Sequence, residues 1–190
     1  MAFPATPPEL STERLLLRMH HDGDIDALYA LFTDPKTMRY WGAPPWTDPA
    51  QADAMLARGA AAFAAQEAIR FAVVLREGGA MVGSCTLFGH DAQNRRAEVG
   101  YILASEAWGK GLMTEALSAL LDWAFGPLGL HRVEADVDPR NVPSVAILER
   151  LGFAREGFLR ERWRVAGEVS DSIFLGLLAP EWAARRGAKA

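Results

Sequence analysis

The sequence predicts an α+β fold: one central sheet of about seven strands with helices on both faces. Three observations predict it. The chain has 190 residues, enough for one domain with a sizeable core. Short apolar runs with strand character alternate with segments of helical spacing, in the order β-α-α-β-β-β-α-β-α-β-β. No internal repeat or low-complexity linker interrupts that order. The expected unit is a single domain over 1–190, with its core at about 12–178 between a flexible lead and a flexible tail.

Each element has a local reason. Residues 1–10 read as a loose, Pro-rich lead, and "ERLLLRM" (13–19) as a short strand. Asp22 or Asp24 can cap a helix on which Ile25, Leu28, Leu31 and Phe32 recur at helical spacing, and Pro35 stops it. "MRYWGAPPWTDP" (38–49) is a loop of aromatics, Pro and Gly. The Ala-rich run 49–67 is a helix weakened by Gly59. "IRFAVVLREGGAMVGSCTLFG" gives two strands about a turn at Glu77–Gly78–Gly79, and 96–104 gives another. Met113, Ala116, Leu117, Leu120, Leu121 and Ala124 form one apolar face of a helix over about 111–125, ended by Gly126–Pro127. Val133, Ala135 and Val137 alternate along a strand at 131–139. "NVPSVAILERLGF" is a short helix with Pro143 in its first turn and Gly152 at its stop. Two last strands surround a turn near Ala166–Gly167, and the final residues read as frayed.

Composition narrows the function. Half the residues are hydrophobic and 23% are charged, an ordinary balance for a soluble protein. A net charge of -4 argues against a nucleic-acid binder working through bulk charge. The single cysteine, Cys85, excludes an internal disulfide and reads as a small core hydrophobe. No apolar run reaches the roughly 18 residues of a membrane span, and prolines stand where a signal peptide needs apolar residues. The expectation is a cytoplasmic protein without membrane or nucleic-acid partners. The four histidines have ordinary strand-end or loop positions, and no metal-ligand set is visible.

One stretch asks for explanation. In "WGKGLMTEAL" (108–117) two glycines flank a lysine just ahead of a helix. A helix N-terminus presents unpaired N–H groups and positive dipole potential, and glycines let the backbone approach an anion. Together they make a phosphate cradle, with Lys110 adding charge and Thr114 a hydroxyl. A tight strand-to-helix turn that simply needs glycine is the competing reading. The spacing fits neither a Walker loop nor a dinucleotide fingerprint.

The wider context identifies a resemblance. "STERLLLR", "AEVGYILASEAWGKGLMTEAL" and "DVDPRNVPSVAILERLGF" occur in this order along the chain. The sequence resembles the GCN5-related N-acetyltransferase (GNAT) family, in the branch that includes the bacterial acetylases of ribosomal-protein N-termini. The likeness runs from about Thr12 to Leu178. It implies a mixed central sheet and acetyl-CoA as co-substrate, without a metal.

The resemblance also implies roles. The run Trp108–Gly109–Lys110–Gly111–Leu112–Met113 matches the family's pyrophosphate loop. It departs from the pattern at Trp108, where Gln or Arg is usual, and at Met113, where Gly or Ala is usual. Backbone groups around Ile102, Leu103 and Ala104 are implied to hold the pantetheine arm as a substitute strand, one N–H serving the thioester carbonyl. Asn141, a turn or cap residue by its position, is implied to bind the same arm. Ser144 is implied to hydrogen-bond the departing sulfur. Glu98 is implied to be the base that takes the amine proton, against the alternative of an ion pair with Arg95 or Arg96. Trp41 and Trp46 either wall the acceptor site or pack in the core; Glu161 and Trp163 are weaker acceptor-site candidates. The acceptor is an amine, a protein N-terminus or a small molecule, and a homodimer is implied by the resemblance alone. A non-catalytic acyl-CoA-binding module is the alternative from another class, and a nucleotide-phosphate binder resting on Gly-Lys-Gly is a distant third.

Overall fold

The computed structural model describes residues 2–188. Eight strands form one sheet: β1 (Leu10–Ser11), β2 (Leu15–Met19), β3 (Ile69–Leu75), β4 (Met81–Asp91), β5 (Arg96–Leu103), β6 (Arg132–Val137), β7 (Ala154–Val165) and β8 (Glu168–Leu178). Their order across the sheet is β1-β2-β3-β4-β5-β6-β8-β7. Every neighbouring pair is antiparallel except β5 and β6, which are parallel. The sheet is therefore mixed, as the resemblance implied. The eighth strand is β1, two residues from the end of the Pro-rich lead that pair with Leu16 and Leu17.

Among the described residues, five α-helices cover the sheet: α1 (Ile25–Thr33), α2 (Ala50–Ala64), α3 (Leu112–Phe125), α4 (Val142–Leu151) and α5 (Ala179–Gly187). The apolar face read for residues 113–124 is buried in full along α3. It packs with α4 residues Val145 and Leu148 onto Ala97, Val99, Val133 and Ala135 of the sheet. The opposite face carries a separate cluster, in which Leu28, Leu31 and Phe32 of α1 and Met55 of α2 meet Ile102. Side chains alternate across a strand. Along β5, odd-numbered residues therefore face α3 and α4, and Glu98, Gly100 and Ile102 face α1 and α2.

The packed body reaches beyond 12–178 at both ends. Phe3 is buried and stacks on His90 at a centroid distance of 4.6 Å. At the other end α5 buries Trp182, whose Nε1 donates to Asp122 at 2.9 Å, and Arg186 pairs with the same carboxylate. Each terminus is anchored by one aromatic, and burying such a side chain contributes about 1.5–3 kcal/mol. Among the described residues, no helix is long and apolar enough to cross a membrane.

Candidate active site

The sheet splits where the pairing of its parallel strands, β5 and β6, runs out. β5 and β6 pair only at Arg96–Arg132, Ala97–Val133 and Glu98–Glu134. Beyond Glu98 the two strands continue to Leu103 and Val137 without pairing. The backbone groups that face this gap follow from the ladder on the other side. Ala104 N–H donates to the Val82 carbonyl at 2.8 Å, in register with the β4–β5 pairing. Because backbone groups alternate along an antiparallel strand, Gly100 and Ile102 also turn to β4. Val99, Tyr101 and Leu103 turn to the gap.

Two of the expected trio of backbone partners turn away from this gap. Ile102 is committed to β4, and a Cβ on Gly83 would lie 2.5 Å from its carbonyl oxygen. Ala104 is committed twice, since its carbonyl also accepts from Ala107 N–H at 2.9 Å. Of the three only Leu103 borders the gap, and Tyr101 joins it. The Leu103 carbonyl accepts from Trp108 Nε1 at 2.7 Å, which gives Trp108 a role in holding the strand end.

The glycine stretch opens α3. Gly109 and Gly111 both have φ +74°, the left-handed region that favours glycine. Gly111 occupies the cap position, and no side chain caps the helix. The N–H groups of Leu112, Met113 and Thr114 therefore lack intrahelical acceptors. The Leu112 and Met113 side chains are buried in the core, so only their backbones are available to a ligand. Lys110 is exposed, and a Cβ on Gly109 would meet nothing within 4 Å. A phosphate fits here: free N–H donors, positive dipole potential and an open approach coincide.

Arg14 and Thr12 brace this loop from the turn between β1 and β2. Arg14 Nη1 donates to the Lys110 carbonyl at 3.0 Å, and its Nε donates to Glu115 at 2.7 Å. Thr12 Oγ1 donates to the same carboxylate at 2.5 Å.

α4 begins differently. The Asn141 side-chain carbonyl accepts from Ser144 N–H at 3.3 Å, and Pro143 lies in the first turn. Asn141 thus does the capping that its position suggests, which leaves its side-chain NH2 as the group free to meet a ligand. Ser144 Oγ lies 2.7 Å from the Tyr101 hydroxyl, across the mouth of the gap. Burial pushes the Tyr101 pKa up to about 12, so the phenol stays protonated and can donate to Ser144. Sequence reasoning placed Tyr101 on β5 without assigning it this contact.

Glu98 faces the other side of the sheet. It has no ion pair among the described residues. Arg95 instead donates to the Gly129 carbonyl, and Arg96 pairs with Asp91 and Glu134. Burial pushes the Glu98 pKa up to about 7, with the nearby carboxylates of Asp136 and Glu134 adding to the rise and Arg162 opposing it. Both neighbours have cations of their own, Arg132 and Arg96 for Glu134, and Arg162 for Asp136. Glu134 and Asp136 lie in "HRVEADVDP", where the alternation with Val133, Ala135 and Val137 already put them on one face.

The surroundings of Asp136, whose charge acts on Glu98, come from distant segments. β7 carries a bulge between Leu159 and Trp163, where Glu161 adopts φ +52° and donates its N–H to Asp171 at 2.8 Å. The bulge delivers Trp163, whose Nε1 donates to Asp136 at 3.3 Å and to Ser172 at 3.1 Å. Gly42 of the 38–49 loop lies against the Trp163 ring, where an added Cβ would be 3.5 Å away. Trp41 and Trp46 are half-buried against Phe32, edge-on at 5.5 Å and stacked at 4.5 Å respectively, covering the apolar face of α1. The same loop is tied down by Glu168, which pairs with Arg39 and Arg140. Cys85 is fully buried in the core, which pushes its pKa up to about 12 and leaves it inert.

The arrangement has the parts of an acyl-transfer site. On the α3–α4 side are an anion cradle and a hydroxyl pair. On the α1–α2 side is an unpaired carboxyl poised near neutrality. Between them is a slot bordered by the backbone groups of Tyr101 and Leu103.

The chain matches the acetyltransferase (GNAT) domain family over residues 14–154. It is 37% identical over 174 residues to p20, an uncharacterized N-acetyltransferase of Bacillus licheniformis, covering 92% of this chain and 98% of that one. It is 34% identical over 84 residues to the ribosomal protein uS5-alanine N-acetyltransferase of Escherichia coli (strain K12), 44% of this chain and 43% of that one. Its fold is similar to the crystal structure of spermidine N-acetyltransferase from Vibrio cholerae in complex with CoA and spermine. The TM-score is 0.81 at 25% identity, over 90% of this chain and 99% of that one. With the split sheet and the glycine-opened helix, these matches establish that the chain belongs to the GNAT family and is an acetyl-CoA-dependent acetyltransferase.

Proposed function

We propose that the enzyme acetylates the α-amino group of a protein or peptide N-terminus by direct attack of the amine on the bound thioester. The observation that carries this reading is Glu98, an unpaired carboxyl with a pKa of about 7 on the face opposite the cradle. An α-amino group has a pKa of about 8, a lysine-type amine about 10.4. A base near 7 is well matched to the first and poorly to the second. The name of the uS5-alanine N-acetyltransferase relative supports the same acceptor class.

Acetyl-CoA supplies the activated acetyl group. The N–H groups of Gly111 to Thr114 hold its pyrophosphate, with Lys110 adding charge. The gap-facing backbone groups of Tyr101 and Leu103 and the Asn141 amide hold the pantetheine arm, and a gap-facing N–H polarises the acetyl oxygen. Glu98 takes the proton that the amine loses as its C–N bond forms. Ser144, held by Tyr101, donates to the sulfur as the C–S bond breaks.

A second reading takes a small polyamine as acceptor. Glu134 and Asp136 beside Glu98 make that face acidic, and the spermidine N-acetyltransferase likeness favours it. The test is acetyl-CoA-dependent thiol release with peptides bearing free N-termini, polyamines, aminoglycosides and amino-acid analogues. Release with peptides alone supports the proposal. Release with polyamines alone replaces it with the second reading. Acetyl-CoA binding without release from either class overturns both readings of the acceptor.

A further inference from the structure

Thr12, Arg14 and Glu115 have no part in the roles above, yet they close on one another beside the glycine loop. Glu115 sits in the first turn of α3, beside the N–H groups that would grip an anion. A carboxylate there suits an isolated helix. It does not suit a helix that must receive a second anion, because the two negative charges repel.

Arg14 answers this conflict. Its Nε and Nη2 engage the Glu115 carboxylate at 2.7 and 2.6 Å, and its backbone N–H donates to the same group at 2.9 Å. With Thr12 Oγ1 also donating, these hydrogen bonds outweigh desolvation and hold the Glu115 pKa below its ordinary value, so it stays charged but compensated. Arg14 Nη1 reaches on to the Lys110 carbonyl at 3.0 Å. That carbonyl lies inside the glycine loop, where an oxygen turned toward an anion would weaken the cradle. Its hydrogen bond to Arg14 keeps it turned away. The guanidinium also lies next to Gly111, 3.7 Å from where a Cβ would stand.

We propose that Arg14 is a positioning residue for cofactor binding, which neutralises Glu115 and turns the Lys110 carbonyl aside so that the first turn of α3 can accept pyrophosphate. The proposal rests on the pyrophosphate reading of the glycine loop. It makes the cradle depend on the turn between β1 and β2, whose Arg14 stands 101 residues earlier in the chain than its partner Glu115.

The test measures CoA affinity by titration calorimetry. In parallel it measures the KM for acetyl-pantetheine, a donor without phosphates. Arg14→Met is expected to weaken CoA binding about tenfold, the scale of a lost charge-assisted hydrogen-bond pair, and to leave the acetyl-pantetheine KM unchanged. The double variant Arg14→Met/Glu115→Gln is expected to regain most of that affinity, because the uncompensated charge is gone. Arg14→Lys is expected to bind CoA poorly, since an ammonium cannot span the carboxylate and the carbonyl together. Equal losses with both donors, no recovery in the double variant, or wild-type affinity in Arg14→Lys would each overturn the proposal. Gly111→Asp separates the two levels: if it leaves CoA affinity intact, the cradle itself is misassigned. If it abolishes binding while Arg14→Met binds normally, only the role of Arg14 fails.

Discussion

Helices α3 and α4 lie on the same face of the sheet, and they begin in opposite ways. α4 starts at Asn141, whose side chain caps the helix, with a proline in the first turn where an N–H would go unused. α3 starts at Gly111 in a left-handed conformation, with no side-chain cap. Glycine in place of a capping side chain costs roughly a few tenths of a kcal/mol of helix stability. One helix end has satisfied itself and can serve as scaffold, while the other keeps its donors for something outside the chain. The difference separates a structural N-terminus from a binding one without reference to any relative.

The largest effect should come from making the start of α3 resemble that of α4. In Gly111→Asp a carboxylate takes the free N–H groups and repels phosphate. CoA affinity is expected to fall about a hundredfold or more by calorimetry. The unliganded protein should still fold, but CoA should no longer raise its melting temperature.

Glu98, on the sheet face opposite both helix starts, separates donor binding from chemistry. Glu98→Gln is expected to lower kcat about a hundredfold with little change in CoA affinity. The loss should be greatest from pH 7, where Glu98 ionises, up to about pH 8, where the acceptor amine loses its own proton. The opposite effect is expected on stability. The folded pKa of Glu98, about 7, lies above its ordinary value, so the native state is favoured at low pH and loses that advantage as pH rises toward 7. Glu98→Gln should therefore raise the melting temperature at pH 8 and leave it nearly unchanged at pH 4. A wild-type pH–rate profile in the variant would place the base elsewhere.

Ser144→Ala should lower kcat about tenfold, within the range of a single hydrogen bond to a charged group, without weakening CoA binding. Tyr101→Phe should reproduce part of that loss if the phenol orients the serine. A KM effect in place of a kcat effect would assign both residues to binding. The smallest effect belongs to the satisfied helix end: Asn141→Ala should cost about 1 kcal/mol of stability, and Asn141→Gly only a few tenths. Denaturant titration distinguishes the two. A larger drop in CoA affinity than in stability would show that the Asn141 amide also reaches the ligand.

Much of this was legible in the sequence because it is local. The apolar stripe from Met113 to Ala124, the glycine ahead of it, the Asn141 cap and the Gly152 stop each depend on neighbours within one or two turns. What escaped depends on register or on distance. Whether Ile102 or Tyr101 faces the gap is decided by how β5 pairs with β4, which no spacing along β5 can reveal. The pairing of Arg14 with Glu115 and the contact of Gly42 with Trp163 join segments more than 100 residues apart. Phe3 and Trp182 are single aromatics in polar or Pro-rich surroundings, with no periodicity to mark them as buried. The β7 bulge leaves no sequence sign either, since Glu161 takes a left-handed conformation without being glycine.

The split between β5 and β6 has a consequence that a clock can read. Backbone amides exchange their hydrogens with solvent at rates set by whether an acceptor holds them. Along one strand, Gly100 and Ile102 are tied to β4, while Tyr101 and Leu103 point into the gap. In the free enzyme, deuterium should enter the odd-numbered amides quickly and the even-numbered ones slowly, a two-residue rhythm within a single strand. Bound CoA should slow the fast amides and erase the rhythm. Four residues of β5 thus carry a built-in, residue-by-residue gauge of how far the pantetheine arm has entered.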